Sequence, residues 1–255
     1  MRKILLFTLV VSMVIPAAFS FGFSSKDQDC AKCHTLKKEE AATILKDIIP
    51  NIKVKGVQLS PLKAMWEIEF EADNKKGLVY LDVTKKYAVS GSIIDIKGKK
   101  NVTQERYSEV NRVDVSKIPL GDAILLGSKD AKIKVIVFTD PDCPFCSKLH
   151  KEMKKVVEER KDIAFQIKMF PLPTHKGAYE KSKAIVCGKS LALLEEAFEK
   201  KPIAKAACKT TDVDKNIALA KKLGFNGTPV MVLPNGRAIS GFREAAAIKE
   251  LVDKK

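Results

Sequence analysis

Trp66, Ile68 and Phe70 alternate with Glu67, Glu69 and Glu71, and a period of two marks a strand with one face buried and the other wet. Leu78 to Val83 predicts the next strand, with Asn74-Lys75-Lys76-Gly77 as the turn between them. Tyr87 to Ile96 continues the meander. Upstream, Ala41, Ile44, Leu45 and Ile48 fall on one helical face, so a helix runs from a Thr35 cap to about Ile49, where Pro50 stops it. A different pattern begins at Ile133. The unbroken run Ile133-Lys134-Val135-Ile136-Val137-Phe138-Thr139 reads as a buried strand, followed by a helix over Ser147 to Arg160 and a strand over Ile163 to Phe170. A long helical region then spans Gly177 to Gly224. Val230 to Leu233 is a strand, Asn235-Gly236 a hairpin turn, Arg237 to Ser240 a strand, and a last helix starts at Glu244. Between the two patterned regions, Gly98 to Gly127 is more polar and reads as a connection, with a helix near Gln104 to Val110 broken by Pro119 and Gly121.

The chain opens as an export signal. Met1-Arg2-Lys3 is a positive start, Ile4 to Ile15 is apolar, and Ala18-Phe19-Ser20 is a small-x-small cleavage site, which places the cut after Ser20. The apolar run is too short for a membrane anchor, and no second run is long enough to span a bilayer. The expected division of the 255 residues is a signal peptide at 1–20, an N-terminal domain at 21–97, a linker with a helix at 98–127, and a second domain at 128–255 with a helical insertion at about 177–224. The N-terminal piece has a thin core, and pieces of that size often lean on a partner subunit. Net charge is +15, but the lysines are scattered beside acids on helix faces without an interleaved aromatic patch. That is a solvated basic surface and gives no support for nucleic-acid binding.

Chemistry enters with Cys143-Pro144-Phe145-Cys146. The motif lies where a buried strand hands over to a helix. The unpaired N–H groups and positive dipole end of that helix favour thiolate over thiol. Cys143 is therefore expected to be the more acidic and more exposed cysteine, with Cys146 one turn further in and able to close a disulfide onto it. Thiol–disulfide exchange is the chemistry this spacing suggests. A second element is Gly227-Thr228-Pro229-Val230, between a helix-ending Gly224 and an apolar strand. In thioredoxin folds a proline at this place is cis and faces the Cys-x-x-Cys, which would leave backbone free to pair with a bound peptide. Export makes disulfides permissible, and the six cysteines are an even set. The wide gap between the two Cys-x-x-Cys pairs argues against a shared zinc site, so no metal is expected.

Phe138-Thr139-Asp140-Pro141-Asp142-Cys143-Pro144-Phe145-Cys146-Ser147-Lys148-Leu149-His150, then Gly227-Thr228-Pro229, Asn235-Gly236 and Gly241-Phe242, resemble the periplasmic protein-disulfide isomerase family of the DsbC/DsbG type. The resemblance covers almost the whole chain after the signal. It implies an α+β, cystatin-like N-terminal dimerisation domain joined by a linker helix to an α/β thioredoxin-fold domain with a helical insertion. It further implies a V-shaped homodimer with an apolar cleft and a periplasmic location. Cys143 would be the attacking cysteine, Cys146 the resolving one, and Thr228 and Pro229 the substrate-binding loop. Cys187 and Cys208 match a pair that forms a structural disulfide in the DsbC branch; free buried thiols are the alternative. Substrates would be misoxidised or unfolded secreted proteins, and a DsbD-like membrane reductase would keep the active pair reduced. No cofactor is required for that activity.

Two features depart from the family pattern. The dipeptide between the active cysteines is Pro-Phe where the best-known isomerase has Gly-Tyr, which leaves a DsbA-like or DsbG-like oxidase, or a chaperone, as rival readings. The other is Cys30-Ala31-Lys32-Cys33-His34, the attachment pattern for covalent haem c. There Cys30 and Cys33 would bond the haem and His34 would be an axial ligand, making an electron-transfer protein. Met65, His150 and His175 are the candidates for the opposite ligand. A second redox or structural dithiol, or a metal site, are the other readings of this motif. His150 is read as a surface histidine one turn beyond Cys146, and His175 as a loop residue without a role.

Overall fold

The computed structural model describes residues 34–254 except Asn74, and within that span the chain forms two main sheets, a two-stranded ribbon and the helices that cover them. The first helix, α1 (Lys38–Leu45), is followed by strands β1 (Lys53–Leu59), β2 (Met65–Ala72), β3 (Lys75–Asp82) and β4 (Ala88–Val89). They pair antiparallel in the order β1-β2-β3-β4. Trp66 and Ile68 of β2 meet Val79 and Leu81 of β3 and Ala41 and Leu45 of α1 in one small core. The helix is shorter than its sequence suggests. Lys37, not Thr35, occupies the N-cap, and no side chain caps it.

The polar face of β2 is not open to water. Helix α2 (Val102–Val110) lies over it, and Arg106 donates to Glu67 at 2.8 Å and to Glu69 at 3.2 Å. Glu67 is buried as a result and also accepts from Gln58. Period-two patterning identifies the strand but cannot say that a later helix will cover its charged side. A short ribbon, β5 (Ile94–Asp95) with β6 (Lys100–Asn101), leads into α2, whose first turn is capped by Asn101 accepting from Gln104 N–H.

The second sheet contains β7 (Ile124–Leu126), β8 (Ile133–Thr139), β9 (Ile163–Met169), β10 (Val230–Val232) and β11 (Ala238–Ser240) in the order β11-β10-β8-β9-β7. Only β8 and β9 run parallel; the other neighbours are antiparallel. Both faces are covered, which is why β8 and β9 read as nearly continuous apolar runs. Val135 and Val137 point to the face packed by α3 (Pro144–Glu159) and α7 (Ala245–Asp253) through Leu149, Met153, Val156 and Ile248. Ile136 and Phe138 point to the other, where they meet Ala220, Phe225, Val230 and Val232. The expected long helical region is three helices, α4 (Ala178–Gly188), α5 (Leu191–Phe198) and α6 (Asp212–Lys222), with an irregular stretch before α6.

The strand β7 falls inside the segment read as linker. Its three residues are too few to show a period, yet Ile124 and Leu126 are buried against β9. Asp122, just before it, pairs with the buried Lys168 of β9 and accepts from Asn216 of α6 at 2.6 Å. Lys168 also donates to Pro119 O at 2.7 Å. The end of the connecting segment is thus built into the second domain. Gly236, in the left-handed region at φ 85, closes the β10–β11 turn against Val113: a side chain there would run into the Val113 carbonyl, and Val113 N–H donates to Gly236 O at 2.7 Å.

Breaking the Asp122–Lys168 pair from one side strands a buried charge. Asp122→Ala is expected to lower stability by about 3–5 kcal/mol in urea unfolding of the oxidised protein.

Candidate active site

All the chemistry-bearing loops meet at one end of the second sheet, beyond the C-terminal ends of β8 and β9 and the start of β10. After Thr139 the chain turns through Asp140-Pro141-Asp142, and Cys143 N–H closes the turn onto Asp140 O at 3.2 Å. Cys143 is the N-cap of α3, with extended backbone (φ −80, ψ 122), and Pro144 follows at the first helical positions, where a missing N–H is tolerated. Cys146 N–H and Ser147 N–H both donate to Cys143 O at 3.1 Å. The Thr228–Pro229 peptide is cis, and the Cys143 thiol donates to Thr228 O at 3.6 Å. No backbone hydrogen bond from Thr228 N–H is found among the described residues. A free N–H beside a reactive sulfur is an edge on which an extended peptide can pair.

Cys143 and Cys146 form a dithiol here. Their acidities are pushed in opposite directions. The Cys146 thiol donates to Cys143, and although burial opposes ionisation, that bond, the Cys146 and Phe145 N–H groups and the Thr228 hydroxyl together lower the Cys143 pKa to about 5. Thr228 Oγ1 is buried without a nitrogen or oxygen partner, so a thiolate is the acceptor within its reach. Cys146 moves strongly the other way, first because of burial and then because its proton is engaged by Cys143. Cys143 is the more acidic sulfur, but it is not open to solvent. It is 5% exposed against 1% for Cys146, because the cis-proline loop covers it. Phe145 between them is 57% exposed, with Lys148 Nζ 5.6 Å from its ring centroid.

Beneath the sulfurs lies a residue to which the sequence reading assigned no role. Asp140 is fully buried, and its carboxylate accepts from Asp142 N–H at 2.8 Å, Leu172 N–H at 2.7 Å and His175 Nδ1 at 2.8 Å. Its own N–H faces Cys146 Sγ at 3.5 Å. Asp142 accepts from Lys181 Nζ at 2.6 Å, and Lys200 Nζ reaches Asp142 O at 3.5 Å, so the helical insertion also grips this turn. A cavity of about 480 Å³ opens beside it, lined by Leu172, His175, Tyr179, Ile217 and Phe225 among others.

The remaining expected residues are dispersed. Cys187 and Cys208 are joined by a disulfide, Cα–Cα 5.7 Å, which ties α4 to the irregular stretch before α6. Cys30 and Cys33 lie outside the described residues; His34 is exposed ahead of α1. Of the candidates for an opposite haem ligand, Met65 is half-buried at the start of β2 and both histidines are already engaged. His150 is not on the surface. It is buried under α5, with Nε2 3.1 Å from Glu195 Oε1 and its ring 5.3 Å from that of Phe198. His175 holds Asp140.

Residues 122–255 match a thioredoxin-like domain, and residues 26–104 match the disulfide bond isomerase protein N-terminal domain. The chain belongs to the thioredoxin-like family, in its DsbC branch of thiol:disulfide interchange proteins. Thiol:disulfide interchange protein DsbC from Escherichia coli (strain K12) is 27% identical over 260 residues, which is 99% of this chain and 96% of that protein. A probable thiol:disulfide interchange protein DsbC from Bordetella avium is 24% identical over 202 residues, 78% of this chain and 69% of that protein. The crystal structure of disulfide interchange protein from Neisseria gonorrhoeae superposes with a TM-score of 0.47 at 33% identity, covering 54% of this chain and 97% of that one.

The depressed Cys143 pKa makes the reduced form's stability depend on pH. Between about 5 and the ordinary thiol value the unfolded chain binds more protons, so stability rises with pH across that window and is lost as pH falls through about 5. Above the ordinary thiol value Cys146 reverses the sign, since there the folded chain holds the extra proton. Thermal unfolding of the reduced minus the oxidised protein is expected to trace this rise and fall. Thiolate absorbance of Cys146→Ser is expected to titrate well below an ordinary cysteine.

Proposed function

We propose that the chain is an exported, dimeric thiol:disulfide isomerase and reductase that rearranges incorrect disulfides in periplasmic proteins. The observation that carries this is the opposed tuning of Cys143 and Cys146 against the free edge of the Thr228–Pro229 loop. In this reading Cys143 thiolate attacks one sulfur of a substrate disulfide. The substrate S–S bond breaks, its second sulfur leaves as thiolate, and a mixed disulfide remains. A different substrate thiolate then attacks the substrate sulfur of that bond and releases Cys143, with no net change of redox state. A low pKa makes Cys143 a good leaving group at that moment. The high pKa of Cys146 slows the competing attack on Cys143, so the mixed disulfide persists long enough to rearrange. When Cys146 does attack, the substrate leaves reduced and the Cys143–Cys146 disulfide must be reduced again; a DsbD-like membrane reductase would supply those electrons. No cofactor takes part in these steps.

The N-terminal unit supports the dimer. Its edge strand β4 is short and exposed, and Tyr87, Val89, Ile94 and Ile96 beside it present apolar side chains to water. The same low Cys143 pKa also favours an oxidase, in which the pair starts oxidised, and the reduction potential separates the two readings.

Three measurements test the proposal. Cys143→Ser is expected to abolish refolding of a scrambled multi-disulfide protein, while Cys146→Ser keeps part of it and accumulates mixed disulfides. Retained shuffling without Cys143 would sink the assignment. Equilibration with glutathione is expected to give a pair more readily oxidised than that of a strong oxidase, whose stabilised thiolate keeps it reduced in the same poise. Sedimentation is expected to give twice the chain mass, and Val89→Asp with Ile96→Asp is expected to give a monomer.

A further inference from the structure

A buried carboxylate survives only where donors satisfy it. The Asp140 carboxylate has three: the N–H groups of Asp142 and Leu172, and His175 Nδ1. The first two are main-chain groups that any sequence would provide, which leaves His175 as the side chain on which the arrangement depends. His175 belongs to the loop between β9 and α4, 35 positions from Asp140 in the sequence. Asp140 in turn touches the dithiol loop at several points. Its carbonyl closes the turn onto Cys143 N–H at 3.2 Å, its N–H faces Cys146 Sγ at 3.5 Å, and its carboxylate fixes Asp142 N–H between them.

We propose that His175 is a positioning residue for thiol exchange: by holding the Asp140 carboxylate it fixes the turn that presents Cys143 at the start of α3. The inference rests on Cys143 being the nucleophile. Two effects act in the same direction. Without the His175 donor, the carboxylate loses part of what holds it against Asp142 N–H, and the turn that aims Cys143 at the helix N–H groups loosens. Its negative charge is also less compensated, and a carboxylate near a sulfur opposes thiolate formation. The other charges at this turn offer no replacement, because Asp142 is engaged by Lys181 and approached by Lys200. The imidazole also lines the cavity beside the site together with Lys176 and Lys221, so water has access to its outer edge.

The test uses the full chain carrying His175→Leu, His175→Asn or His175→Gln. An asparagine amide can stand in for Nδ1, whereas glutamine carries its amide one methylene further out. The readouts are the alkylation midpoint of Cys143, the potential of the Cys143–Cys146 pair, and thermal stability measured separately. His175→Leu is expected to raise the midpoint by about one pH unit, leaving about tenfold less thiolate below it, and to make the potential about 30 mV more negative. His175→Asn is expected to stay close to the parent, with His175→Gln shifted towards the leucine variant. An unshifted midpoint and potential in His175→Leu, whatever its stability, would overturn the proposal. If the leucine variant does not fold, equal midpoints in the asparagine and glutamine variants overturn it instead. An ordinary thiol midpoint in the parent protein would refute the nucleophile assignment, a separate outcome.

Discussion

The architecture turns on one constraint: a helix must begin immediately beyond the end of a fully buried strand, with a sulfur at its cap. Residues of β8 are packed on both faces, so the strand cannot shift without exposing either Val137 or Phe138. That fixes where Thr139 ends and therefore where α3 starts. Pro144 enforces the helical backbone at its first position, and the Phe145 and Cys146 N–H groups that follow turn toward the Cys143 sulfur. Sulfur is well suited to this place, because it gains from those N–H groups when ionised and remains reactive when it does so. The two cysteines then become unlike for a geometric reason. One is at the cap, where donors converge, and the other is inside the helix, where burial dominates.

Around that junction the protein spends its buried polar groups. Asp140, His150 and Lys168 each occupy the interior of the second domain with a partner from a distant part of the chain. Each adds a buried polar link from the sheet or the active helix to a separate element: the β9–α4 loop, helix α5 and the end of the connecting segment. Apolar packing allows neighbours to slide, whereas a buried ion pair or hydrogen bond has one good geometry and a high cost elsewhere. The helical insertion is anchored in this way at α5, closed by the Cys187–Cys208 disulfide, and returned to the active turn through Lys181 and Lys200.

Much of this was legible in the sequence where the signal is local. The alternation of β2, the unbroken apolar run of β8, and a Cys-x-x-Cys set between strand and helix each announce themselves within about a dozen residues. Asp140 was visible as a letter beside the motif, but its role depends on a histidine 35 positions away in a loop without periodicity. His150 looked exposed because a lysine-rich helix suggests a wet face; only the later placement of α5 buries it. Glu67 misled in the same way, since alternation reports the chemistry of a face and says nothing of what covers it. The short β7 offered three residues, too few for any period.

Helix α2 has a consequence for shape. Arg106 fastens it to Glu67 and Glu69 on one side, while Glu109, one turn later, accepts from Arg237 of the β10–β11 hairpin at 2.7 Å on the other. A helix gripped by charge from both sheets works as a strut rather than a tether. The N-terminal sheet and the β10–β11 hairpin are then held across a fixed span, set by one turn of helix. In a two-armed assembly, that span would decide how large an object fits between the arms.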